Sequence, residues 1–288
     1  MKINKPVIIV VIYLFIKIAS KIDFHNNVLN SFFSSKYIKY LLLLYFLYKI
    51  LDLIIKIRRE YIKQDYKIDF VDRMSFSIKS GFDGYNEKIK NTIVQEFRVI
   101  YYAFFSHKIK KRTTEYEFTY HKNNSALSLY WAFILLTLIE TGVIHYLLYI
   151  NNLHLLNGVL LFINIYTIVF ILGHIRAMKI KPIVIDNQTL FLNNGIFISE
   201  KILIDSIESI YSVNDFPKNQ DGLKIGLIGK LEPINTVIEL KNDITFTLFY
   251  GIKRSSKKLA FYIDDYKNLS NLINEKIIKK TITQNDII

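Results

Sequence analysis

From Ala126 to Ile150 the chain reads ALSLYWAFILLTLIETGVIHYLLYI, a run whose only formal charge is Glu140. A helix of that length, rising about 1.5 Å per residue, crosses about 30 Å of hydrocarbon, and a helix satisfies its own backbone there. After the polar pair Asn151 and Asn152, a second run from Leu155 to Ile175 is equally apolar. So short a connection joins only antiparallel neighbours, so the two runs predict a membrane hairpin. Trp131 and several Tyr lie near its ends, where amphipathic rings prefer the headgroup level. Arg176, Lys179 and Lys181 follow the second run and mark that end as cytoplasmic.

Two further apolar stretches lie upstream. Tyr40 to Ile55 is shorter, but Lys49 and Asp52 fall on one helical face and are placed to pair, so it is expected to span. Val7 to Ile16 follows Lys2 and Lys5 and precedes Lys17. It reads as an uncleaved helix; a secretory signal peptide is the other reading, although Ala19-Ser20 makes a poor cleavage site. The expectation is therefore four membrane helices.

The net charge of +13 does not require a nucleic-acid partner. The excess of bases sits beside the apolar segments, where Lys and Arg fix topology and meet anionic headgroups. Lys56, Arg58 and Arg59 flank one end of the segment 58–125, and Lys108, Lys110, Lys111 and Arg112 the other, which puts this segment and both chain termini inside. The chain has no Cys, which excludes disulfides, thiolate nucleophiles and Cys-ligated metal centres.

Within 58–125, Ile89, Ile93, Phe97, Ile100 and Phe104 step by three or four residues and predict an amphipathic helix between Tyr85 and Phe105. Its apolar end, Val99 to Phe105, rises only about 10 Å and cannot cross a bilayer. The helix either lies in the membrane interface or packs on other cytoplasmic elements.

From Ile180 the period changes to two. Strands are expected at 183–185, 190–192 and 196–198 around the turns Asp186-Asn187-Gln188 and Asn193-Asn194-Gly195. Others follow at 202–204, 207–213, 223–228, 236–240, 244–250 and 259–263, then a helix capped by Asp264 with Leu269, Leu272, Ile273 and Ile277 as its apolar stripe. The run PIVIDNQTLFLNNGIFIS, then KILIDSIESIYSV, then IELKNDITFTLFY leading into LAFYIDDYKNLSNLINEKI, resembles the PH-like domains of bacterial membrane proteins. That resemblance covers about 110 residues. It implies a small antiparallel barrel plugged by one C-terminal helix, with neither a catalytic motif nor a lipid-binding motif to carry over.

Two groups of residues are candidate sites. Glu140 falls near the bilayer midplane, where an unpaired carboxylate costs several kcal/mol, and it needs a partner. His145, five residues on, is a loose neighbour, and Lys49 with Asp52 is a second polar pair. These four either line a proton or solute path or fix helix register; two ligands, Glu140 and His145, do not define a metal site. Lys253, Arg254, Lys257 and Lys258 fall in six residues between expected strands and form either an anionic-lipid or acidic-partner contact or a solvated loop. The chain has no Gly-x-x-x-x-Gly-Lys, Gly-x-Gly-x-x-Gly or Gly-x-Ser-x-Gly motif.

The sequence thus predicts an α+β membrane protein of the bacterial plasma membrane, with both termini cytoplasmic. Two N-terminal apolar helices (1–57) lead to a basic cytoplasmic loop (58–125), a transmembrane hairpin (126–177) and a PH-like β domain (178–288). No catalytic residue, metal or cofactor is expected. The implied partners are the lipid bilayer, its anionic headgroups and a membrane protein, and the role is binding or scaffolding at the membrane surface. The alternative is an intramembrane enzyme or transporter centred on Glu140 and His145.

Overall fold

The computed structural model describes residues 36–64, 69–106, 116–214 and 222–285. The chain divides into two compact units, Met1–Gln64 and Asp65–Ile288. The helix expected at Val7–Ile16 lies outside the described residues.

In the first unit, helix α1 spans Lys36–Lys63 without a Gly or Pro. Lys56 pairs with Asp52 at 2.9 Å and Lys63 with Glu60 at 2.6 Å, one turn apart on the helix surface. The span expected at Tyr40–Ile55 is part of this helix, but that apolar run rises only about 24 Å and carries Lys49 and Asp52 within it. Among the described residues two helices are long and apolar enough to cross a membrane. The four-helix transmembrane region is therefore corrected to one hairpin of candidate spans.

The second unit opens with α2 (Phe70–Gly81) and α3 (Glu87–Phe105). Asp69 accepts the Val71 N–H and Asn86 the Lys88 N–H, so each start is capped by the short polar side chain before it. The sequence signals had not marked α2. The strand β1 (Tyr116–Phe118) precedes the hairpin, whose arms are α4 (Ala126–Ile150) and α5 (His154–Ile180). Then come β2 (Ile183–Asp186), β3 (Thr189–Asn194), β4 (Ile198–Leu203), β5 (Ile207–Ser212), β6 (Leu223–Lys224), β7 (Thr236–Thr247), β8 (Lys253–Phe261) and α6 (Tyr266–Asn285).

The strands form two four-stranded sheets, β1-β2-β3-β4 and β5-β7-β8-β6. All pairs are antiparallel except β6 with β8. The expected closed barrel is corrected here. A 3-10 turn at Ile204–Ser206 swings the chain off β4 into the second sheet, and the isolated bridge Ile198↔Leu248 and the Thr247 N–H donated to Glu200 join the two. β1, read from the sequence as part of a loop, pairs with β2 through Tyr116↔Ile185. The strands expected at 236–240 and 244–250 are one long β7 whose register shifts between Glu239 and Ile244.

One core runs through the sheets and the foot of the hairpin. Ile185, Leu190, Ile202, Ile238, Phe246 and Leu259 pack with Leu269 and Ile273 of α6 and with Tyr130, Ile134, Ile171, Ile175 and Met178 of α4 and α5. Each such side chain contributes about 1.5–3 kcal/mol when fully buried, so this shared core fixes the root of the hairpin to the β domain. The upper hairpin is different: the most apolar windows of α4 and α5 are only 11% and 6% buried.

Candidate functional site at the root of the hairpin

Three polar clusters hold α5 to the elements around it. The deepest begins at His174, a fully buried side chain in the last third of α5. Its Nδ1 accepts the Ile196 N–H at 3.3 Å, so the proton of the neutral ring lies on Nε2, 3.1 Å from the Tyr130 hydroxyl on α4. Tyr130 in turn donates to Glu232 Oε1 at 2.6 Å, which also accepts the Ile228 N–H at 2.9 Å. Each donor meets an acceptor, in one direction from the β3–β4 turn through both helices to the segment before β7. Burial pushes the Glu232 carboxyl above the usual carboxylate range, although the Tyr130 and Ile228 hydrogen bonds pull it down.

Two glycines make this network fit. Gly195 has φ of +51°, and a Cβ there would lie 2.5 Å from the His174 ring. A Cβ on Gly226 would lie 2.6 Å from the Glu232 carboxylate. Beside them the Tyr120 hydroxyl accepts the Gly195 N–H at 2.9 Å, and burial pushes that phenol well above its ordinary range.

The second cluster joins α3, α5 and the turn between β7 and β8. Glu96 accepts from Tyr250 at 2.7 Å and from Tyr166 at 2.9 Å, and the two hydroxyls are 2.9 Å apart. Tyr250 sits at φ of +55°, a left-handed conformation uncommon for a bulky residue. Burial raises the Tyr250 phenol, and Tyr166 and Glu96 raise it further. In the third cluster Asp72 of α2 meets Lys181 at 3.1 Å and Arg98 at 3.4 Å. Burial pushes that carboxyl up, but the two cations together outweigh it and hold it below the usual range.

These clusters are hydrogen-bonded networks built on three carboxylates, and they tie α2, α3, α4, α5 and the sheets to one another. Among the described residues no group of three or more His, Asp or Glu is placed to hold a metal ion.

The residues singled out from sequence fall elsewhere. Glu140 is exposed on α4. His145 instead turns inward and its Nδ1 meets the Asn157 side-chain oxygen across the hairpin, while Asn164 donates to Thr141 at 2.8 Å. Glu140 and His145 therefore do not form a pair. Asp52 bonds Lys56 rather than Lys49, whose ammonium lies over the Tyr45 and Tyr48 rings. The side-chain bond to Lys56 holds the Asp52 carboxyl below its usual range.

Lys253, Arg254, Lys257 and Lys258 lie not on a loop but in β8, where alternation sends neighbours to opposite faces. Lys257 pairs with Glu208 at 2.9 Å and Lys258 with Glu239 at 3.4 Å, so two of the four charges are matched within the fold. Asp264, expected to cap α6, accepts the Lys122 and Asn123 N–H groups instead, and the Asp265 side chain accepts the Asn268 N–H at the helix start.

Tyr130, Glu232, Glu96, Tyr166 and Tyr250 escaped the sequence reading, which puts His174 only at the cytoplasmic end of α5, without its partners. Their signal was thin: Tyr130, Tyr166 and His174 are isolated in apolar helices, Glu96 sits among other polar residues of α3, Glu232 and Tyr250 fall in connections, and hydrogen-bonded partners are up to 154 positions apart. No family model matches the chain, and the search of curated proteins and that of solved structures likewise find no match.

Proposed function

We propose that the chain is a membrane-anchored binding or scaffolding module, with the α4–α5 hairpin embedded in the bilayer and the β domain held at its cytoplasmic surface. The observation that carries this reading is the contrast along the hairpin. Its foot lies in the β domain's own core, whereas its upper part exposes Leu, Ile and Phe along most of its outer surface. An exposed apolar surface of that extent requires lipid or other apolar cover. Arg176, Lys179 and Lys181 at the foot of α5 favour the cytoplasmic side. Polar clusters that tie the helices to the sheets suit a rigid mount. Lys253 and Arg254, exposed at the start of β8, are the charges left to meet an anionic headgroup or an acidic partner.

The reading is tested by flotation with phosphatidylcholine vesicles at alkaline pH and high salt. The full chain is expected to float with the vesicles and to require detergent once extracted. A monodisperse chain in detergent-free buffer refutes the proposal. Reversing Lys253 and Arg254 to Glu is expected to leave flotation intact while weakening the extra retention seen when phosphatidylserine is added.

A further inference from the structure

The outer face of α4 is not uniformly apolar. Leu136, Glu140, Val143 and Leu147 recur at helical spacing on one exposed face, with the three apolar members 58%, 56% and 49% exposed. Among the described residues Glu140 has neither a hydrogen bond nor an ion pair. It lies about 14 Å from Trp131 and about 15 Å from Ile150 along the helix, midway through the bare stretch and beyond the reach of a headgroup. Of the other polar side chains of the upper hairpin, Thr141 bonds Asn164 and His145 bonds Asn157 across it, while Thr137 and Thr167 donate to carbonyls of their own helices. Glu140 is an exposed carboxylate that takes part in neither kind of bond.

Resting on the embedded-hairpin reading above, we infer that the face Leu136, Glu140, Val143 and Leu147 docks a partner's transmembrane helix that carries a basic side chain at mid-depth. Charge selects this occupant. An ionised carboxylate in hydrocarbon is stabilised by an opposite charge or a strong donor, whereas a second copy packed face to face would set Glu140 against Glu140, a pairing open only once a carboxyl has taken up a proton. The flanking Leu and Val supply the packing surface, and the carboxylate supplies register and partner choice.

The test uses the full chain in phosphatidylcholine vesicles with designed Leu-Ala transmembrane peptides that differ only in a central Lys or a central Leu. Since the chain has no Cys, a single fluorophore at Leu203→Cys, an exposed position on β4, reports energy transfer to a labelled peptide. The Lys peptide is expected to associate about fivefold to tenfold more tightly than the Leu peptide, and Glu140→Gln to abolish that preference. Equal association of the two peptides overturns the inference, as does a preference that survives Glu140→Gln. A homodimer that depends on Glu140 overturns it in favour of a second copy. Flotation of the same preparation separates the two readings: a chain that floats but shows no Lys preference refutes only the partner, and one that fails to float refutes the embedded hairpin as well.

Discussion

At the scale of single residues, two buried tyrosines in this fold have opposite energetics. Tyr130 both accepts and donates at the centre of the His174–Glu232 network, so Tyr130→Phe leaves the imidazole N–H and the carboxylate each short of a partner. The expected cost is about 2 kcal/mol, read from chemical denaturation in detergent. The Tyr102 hydroxyl is equally buried but has no hydrogen-bond partner among the described residues. Tyr102→Phe is therefore expected to be neutral or to stabilise by up to about 1 kcal/mol, and a loss as large as that of Tyr130→Phe would show that Tyr102 is bonded after all. Glu232 supplies a pH signature. Its carboxyl is raised in the fold, so its contribution to stability is fully present below the unfolded value of about 4.3 and declines as pH rises through the folded value. Glu232→Gln keeps an acceptor for Tyr130 and is expected to remove that decline. Parallel stability–pH profiles for the two proteins above pH 4.3 would show that Glu232 is not the group responsible.

At the scale of elements, α3 is held to α5 by a close helix approach rather than by its amphipathic stripe. The stripe expected either at the membrane interface or packed on other elements is exposed at Ile89, Ile100 and Phe104, and the helix packs through Val94, Val99, Tyr102 and Ala103. Contact is closest at Gly173, where an added Cβ would lie 2.8 Å from the Val99 carbonyl oxygen. One turn on, the Arg176 guanidinium donates to the Ala103 carbonyl and satisfies the free C-terminal end of α3. Gly173→Leu is thus expected to lift α3 off α5 while the sheets stay folded. In hydrogen exchange, amides of α3 would lose protection and those of β3 and β7 would keep theirs. Uniform loss across both sheets, or no change in α3, would contradict this account.

At the scale of the whole second unit, the hairpin and the β domain share a core and should not behave as separable modules. Replacing residues 126–177 by a short flexible linker removes Tyr130, Ile134, Ile171, Ile175 and Met178 from that core. The sheets are then expected to lose cooperative unfolding altogether. A hairpin-free variant that still melts in one sharp transition would mean that the foot of the hairpin is only leaning on the domain. The same sharing explains why β1, upstream of the hairpin, pairs with β2 downstream of it: the chain leaves the domain, turns back through α4 and α5, and re-enters beside its point of departure.

What the sequence by itself determined was periodicity and local chemistry. The unbroken apolar runs of α4 and α5, the stripe of α3, the Asn-Gly turn after β3 and the change to a period of two after Ile180 are all short-range signals, and each element stands close to where those signals put it. The tertiary structure decided how the elements meet. It split the strands into two sheets instead of a barrel, drew β1 out of a loop, put Lys253, Arg254, Lys257 and Lys258 on opposite faces of a strand, and turned Glu140 away from His145. It also brought His174, Tyr130 and Glu232 into a single hydrogen-bonded line across 102 residues of sequence. Spacing along a chain encodes which face of a helix or strand a residue occupies. Which faces then bury one another depends on the joint packing of residues far apart in sequence, and a lone polar residue in an apolar segment carries no sign of the partner that will satisfy it.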